Sequence, residues 1–187
     1  MINYKAASKE QLNDEFKRLS KVVSDLPFGT KKEFFHLPNI LHEGEKPLAV
    51  ASGMMDGNTW LITLTNQRII FLDKGMIFGL KQVAINLANI VSVGGKTGII
   101  MGKISVGTSG QNYTISNVAK GCVVPFTNLV NSAKDALIHP APESKAAKAP
   151  TQENDIIAQL EKLASLKERG ILSDEEFMLQ KSKVLGA

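Results

Sequence analysis

The sequence predicts an α+β fold: a meander of short antiparallel strands, one helix before it, one after it, and a small helical hairpin on a tether. Three observations carry that expectation. From Leu48 onward apolar residues alternate with period two. On both sides of that region they recur at helical spacing. Residues 140–153, "PAPESKAAKAPTQE", contain no large apolar side chain, so nothing there can be buried. The 187 residues, 43% of them hydrophobic, suffice for one domain of ordinary size and something small beside it. The chain accordingly divides into an N-terminal helix (1–30), a sheet domain (31–139), a flexible linker (140–153) and a terminal hairpin (154–187).

The first helix starts at Ser8, where "SKEQ" sets a hydroxyl three residues before Gln11 as a capping box does. Leu12, Phe16, Leu19, Val23 and Leu26 then form one stripe at 4-3-4-3 spacing, and Pro27 closes the helix. Such a stripe suits a helix laid on its own domain. It also has the spacing of a coiled-coil seam, although two heptads fall short of the three or four that define one. "KKEFFHLPNILHEGEKP" reads as a short helix broken at Pro38. In "NTWLITLT", Trp60, Ile62 and Leu64 alternate with Leu61, Thr63 and Thr65, placing the sole tryptophan on a core face. "QRIIFLD" is its partner across a tight turn at Asn66 and Gln67. "QVAINL", "NIVSVG", "MGKISV" and "NYTIS" continue the meander, separated by turn residues.

A helix follows at "CVVPFTNLVNSAKDALIHP", with Phe126, Leu129, Val130, Ala133 and Leu137 at helical spacing and Pro125 in the first turn. After the linker, Ile156, Leu160 and Leu163 share a face, and Gly170 suits a left-handed helix end. Ser173 and Glu176 form a second capping box, opening a helix that carries Phe177, Val184 and Leu185. A hairpin this short cannot build a sufficient core alone, so its apolar face needs a partner.

Composition narrows the function. The net charge of +4, from 22 basic and 18 acidic residues, is too mild to point to nucleic acid or anionic lipid. Cys122 is the sole cysteine, which rules out an internal disulfide and a cysteine-based metal site within one chain and fits a reducing compartment. "MINYKAASKEQLNDEF" has no apolar core of signal-peptide length, and no run approaches the roughly 18 apolar residues that span a bilayer. A cytoplasmic protein is expected.

Catalytic signatures fail one by one. "GGKTG" (Gly94 to Gly98) imitates the end of a phosphate-binding loop, but Ile90 stands where the first glycine would fall and the segment that follows reads as strand; a hairpin turn explains it. His36, His42 and His139 have no metal-ligand spacing and read as helix-surface or capping residues. "KGCVVPF" offers Cys122 no histidine or acid nearby, so a small buried cysteine is expected. Lys81, Lys96, Lys103 and Lys120 could reach one side of the meander, yet no aromatic residue interleaves with them to stack bases.

Two resemblances cover most of the chain. The tail "IIAQLEKLASLKERGILSDEEFMLQKSKVL" closely resembles the SHOCT module, a short C-terminal two-helix unit of bacterial and phage proteins. Lys167, Gly170, Ile171, Leu172, Ser173, Glu175, Glu176 and Phe177 match its pattern. This resemblance implies oligomerisation or docking. The strand region resembles bacterial pleckstrin-homology-like (PH-like) domains through "LPNILHEGE", through "LITLTNQRIIFL" with its Leu-Thr-x-x-Arg hairpin (Leu64, Thr65, Asn66, Gln67, Arg68), and through "INLANIVSV" with Ile90 and Val93. It implies a seven-stranded, strongly bent antiparallel sheet capped by one C-terminal helix, with the N-terminal helix outside its coverage. Eukaryotic PH domains that bind phosphoinositides place bases in and beside the first hairpin loop. Here that loop is "GMMDGN", with Asp56 and no base, and Met54 and Met55 read as strand-end core or an adaptable contact pair.

The expected function is a non-enzymatic interaction or oligomerisation protein with no catalytic residue, cofactor or metal. Its interface is expected at Ile156, Leu160, Leu163, Ile171, Leu172, Phe177, Val184 and Leu185. The expected partner is a second copy, giving a homo-oligomer, and/or another protein; some bacterial relatives of the PH-like domain assemble into rings. Membrane lipid is disfavoured, and nucleic acid has only scattered lysines in its favour. The alternative is a membrane-surface or nucleic-acid-binding adaptor.

Overall fold

In a computed structural model, residues 2–138 are described, apart from 26, 28 and 76–78. Helix α1 (Lys9–Val22) opens on the expected capping box: Gln11 N–H donates to Ser8 Oγ (3.2 Å) and Ser8 N–H to Gln11 Oε1 (2.9 Å). It ends before Pro27, because Ser24 turns left-handed at φ 55°. A four-residue helix, α2 (Lys31–Phe34), and a 3₁₀ turn (Leu37–Asn39) follow. The predicted break at Pro38 thus falls earlier: the α-helix has already closed, and Pro38 sits inside the 3₁₀ turn.

Seven strands come next: β1 (Pro47–Met55), β2 (Asn58–Thr65), β3 (Arg68–Lys74), β4 (Leu80–Asn86), β5 (Ile90–Thr97), β6 (Met101–Thr108) and β7 (Asn112–Ala119). Their spatial order is β4-β3-β2-β1-β7-β6-β5, antiparallel throughout. Two meanders are therefore joined at β1 and β7 through the pair Met54↔Ser116, where Ser116 Oγ also donates to the Met54 carbonyl (3.2 Å). Gly53, next to that seam, has no room for a side chain: a Cβ would run into Ile115 and lie 2.9 Å from the Ser116 carbonyl. This bent seven-stranded sheet, with helix α3 (Lys120–Ile138) following it, is the PH-like fold that the sequence predicts.

Two apolar clusters use the two faces of the sheet. Inside the bend, Trp60, Ile62, Leu64, Ile69 and Phe71 meet Ile104, Val106 and Ile115 and the α3 stripe Cys122, Val123, Phe126, Val130 and Ala133. Trp60 is 4% exposed and its indole N–H donates to the Met55 carbonyl (2.9 Å). On the outer face, Val50, Leu61, Ile70 and Leu72 are covered by Leu12, Phe16 and Leu19 of α1 together with Phe34, Leu37 and Leu41. The stripe of α1 is thus spent on its own domain rather than on a coiled coil.

Two expectations need correction. Helix α3 begins at Lys120, so Pro125 lies in its second turn rather than its first. Burial decides this: Cys122 and Val123 join Phe126, Val130 and Ala133 on one face only if the helix starts early, and that gain outweighs the hydrogen bond Pro125 cannot make. "GGKTG" is not a turn either. Gly94 to Thr97 belong to β5, and the reversal comes at residues 98–100.

Candidate interaction surface

The Leu-Thr-x-x-Arg hairpin has a structural meaning that the sequence did not disclose. Arg68 folds back from β3 and grips Glu45 with two parallel bonds, Nε to Oε1 and Nη2 to Oε2, both 2.9 Å; Nη2 also donates to the Ile40 carbonyl (3.0 Å). Thr65 Oγ1 donates to Glu45 Oε1 (2.8 Å) and accepts from the N–H groups of Gln67 (3.1 Å) and Arg68 (3.0 Å). His42 N–H completes the set on Glu45 Oε2 (2.9 Å). Burial opposes ionisation of Glu45, but the hydrogen bonds of Arg68, His42 and Thr65 outweigh it and hold the carboxyl below its ordinary range. With Glu45 fully buried and Arg68 nearly so, the network locks the 40–45 segment to the β2–β3 turn.

The remaining candidates can be placed in turn. The Cys122 thiol is buried, and burial, with the nearby charge of Asp25 adding to it, pushes its pKa up to about 12; it is an inert core residue. The imidazole Nδ1 of His42 lies 3.8 Å from Glu45 Oε2, and its ring is exposed. His36 precedes the 3₁₀ turn without a side-chain cap bond, and His139 lies outside the described residues. Among the described residues no group of three His, Cys, Asp or Glu is placed to hold a metal, and no helix is long and apolar enough to cross a membrane.

The β1–β2 connection is a two-residue reversal, Asp56 and Gly57, both at positive φ. A turn this tight presents no loop in which bases could clamp a phosphate. Met55 is buried beneath it and Met54 half-buried. Of the four lysines, Lys81 stands apart from the other three. Lys81 sits on edge strand β4 beside Asp73 (4.0 Å), whereas Lys96 and Lys103 face each other across β5 and β6 at the far end of the sheet. The expected interface residues Ile156, Leu160, Leu163, Ile171, Leu172, Phe177, Val184 and Leu185 lie outside the described residues.

Comparison with known proteins finds two family matches. Residues 41–132 match the bacterial PH domain family, and residues 158–185 match the short C-terminal domain family. The chain therefore carries a bacterial PH domain followed by a short C-terminal domain. Both are families of generally non-enzymatic modules, and the pairing points to a non-catalytic domain protein. Two similar solved structures are a pleckstrin homology domain from Shewanella amazonensis SB2B and a DUF1696 family protein with a pleckstrin-homology domain from Shewanella loihica PV-4. The first is 18% identical, covers 57% of this chain and 88% of its own, and has a TM-score of 0.41. The second is 18% identical, with 57% and 97% covered and a TM-score of 0.40. No curated protein matches the chain.

Proposed function

We propose that this protein is a non-enzymatic interaction protein in which the PH-like domain presents a binding surface and the C-terminal hairpin, tethered by residues 140–153, self-associates or docks. The observation that carries the reading is the tail itself. In the sequence of residues 154–187, Ile156, Leu160, Leu163, Ile171, Leu172, Phe177, Val184 and Leu185 are apolar side chains in a segment too short to build its own core, so a second copy is their natural cover. Each Å² so covered contributes roughly 25 cal/mol. Joining two modules in one chain raises the effective concentration of each for the other's target, so assembly through the tail multiplies weak contacts of the domain. A single buried cysteine supports placing the protein in the cytoplasm.

Light scattering coupled to size exclusion tests this on three proteins: the intact chain, a truncation ending at residue 139, and Phe177→Asp. The intact chain is expected above monomer mass, and the other two at monomer mass with unchanged Trp60 emission. If all three are monomers, self-association through the tail is refuted and docking on a foreign protein takes its place. If all three share one higher mass, assembly resides in the sheet domain or α1.

A further inference from the structure

The β5–β6 hairpin ends in three consecutive exposed apolar side chains: Ile99 is 93% exposed, Ile100 76% and Met101 50%. Closing the turn does not require them; the Gly98 N–H to Met101 carbonyl bond (2.8 Å) does that with main-chain atoms. Just behind the tip, Lys96 and Lys103 stand directly opposite each other, both exposed. Like charges so opposed disfavour the hairpin, and among the described residues neither has an ion-pair partner. Ala119 is opposite Met101 in the β6–β7 ladder, so Lys120 follows at the same end. Val123 packs towards Gly95 and Gly102, which leaves Val124, 56% exposed, close by.

Charge along the chain is segregated in the same direction. Residues 74–134 contain six lysines and no Asp or Glu, whereas residues 1–73 carry nine basic and nine acidic residues. The modest net charge of the whole protein therefore conceals an acid-free stretch of sequence, within which the β5–β6 end is apolar at the tip and basic at the collar.

We propose that this end docks on an anionic phospholipid surface, with Ile99 and Ile100 entering the interface and Lys96, Lys103 and Lys120 resting on headgroup charge. Each part matches what such a surface offers: apolar depth for the tip, negative potential for the collar. Single-stranded nucleic acid fits less well, because isoleucine has no π-face on which a base can stack. A second copy fits less well too, because a two-fold contact would set the same lysines against each other. A narrow protrusion also falls short of the roughly 1,000 Å² that a stable protein interface needs. The β1–β2 turn, which lacks bases, argues only against a headgroup-specific clamp and leaves this contact open. The proposal does not depend on the tail, which changes only the number of tips presented together.

Flotation of the intact chain with phosphatidylcholine vesicles, with and without phosphatidylserine, tests it. Binding is expected to need phosphatidylserine and to weaken as salt rises. Lys96→Gln/Lys103→Gln should weaken it about 30-fold, from about fivefold per lysine near an anionic surface. Ile99→Ser/Ile100→Ser should weaken it about tenfold or more. Both variants should keep the Trp60 emission and assembly mass of the parent. The proposal is overturned if the intact chain fails to float, if it floats equally without phosphatidylserine, or if either variant floats like the parent. It is also overturned if the chain does not float while the isoleucine variant loses assembly mass, or the lysine variant loses binding to a fluorescent oligonucleotide.

Discussion

Replacing Glu45 by alanine would strand the guanidinium of Arg68 inside the domain. The carboxylate accepts four hydrogen bonds of 2.8 to 2.9 Å, two of them from Arg68. The Arg68 side chain, 8% exposed, cannot turn to water without leaving the fold. Removing one member of a buried pair costs about 3–5 kcal/mol, because the other charge stays desolvated and unpaired. Against a typical total of about 5–15 kcal/mol, that is a large share. Urea unfolding of the intact chain, followed by Trp60 emission, should therefore shift to markedly lower denaturant for Glu45→Ala and for Arg68→Ala. The double variant removes both charges at once, so its loss should fall short of the sum of the singles by about 1–3 kcal/mol. A single loss below about 1 kcal/mol, or strict additivity, would refute the view that these residues act as one desolvated unit. The pair also sets a pH dependence. The folded carboxyl titrates below its ordinary 4.5, so its contribution is complete above that value and disappears as pH falls through the lower folded one. Glu45→Ala should flatten that acid limb.

Other consequences are open to equally direct measurement. Gly53→Ala pushes a Cβ into Ile115 and the Ser116 carbonyl at the β1–β7 seam; a loss of about 1–3 kcal/mol is expected in thermal unfolding, and a variant as stable as the parent would show that the seam can open to accommodate it. The Cys122 thiol, its pKa pushed up to about 12, should resist a disulfide reagent at pH 8 until denaturant exposes it, whereas rapid full labelling of the native protein would contradict its burial.

Much of the fold was legible because local chemistry and tertiary packing agree. Ser8 and Gln11 announce α1, and the alternation of Trp60, Ile62 and Leu64 with Leu61 marks two faces of β2 correctly. The sequence is less informative where a neighbour distant in the chain decides. Thr63 and Thr65 look like a solvent face, yet α1 and the 40–45 segment cover that side, and the Thr63 hydroxyl is buried without a hydrogen-bond partner among the described residues. Glu45 and Arg68 are 23 residues apart, and it is the pairing of β1 with β2, Pro47 opposite Thr65, that brings them together. Gly94 and Gly95 read as a turn, but Gly95 is a strand residue against which Val123 packs so closely that a Cβ would collide with it. The isoleucines at the β5–β6 tip follow strand-like residues and read as more strand; only the position of the reversal exposes them.

The unequal cover of the two half-sheets sets how freely each can change. In β2 and β3 nearly every residue is buried, because one face closes the interior and the other lies beneath helices and the turns that follow them. In β6 exposed Met101, Lys103 and Ser105 alternate with buried Gly102, Ile104 and Val106. A random substitution in β2 meets packing on either side, whereas every second position of the early part of β6 can vary with little cost to folding. Within a family of such domains, β1 to β3 should therefore drift slowly and the face carried by β5 to β7 quickly, so that binding preferences can diverge on one half while the other keeps the architecture intact.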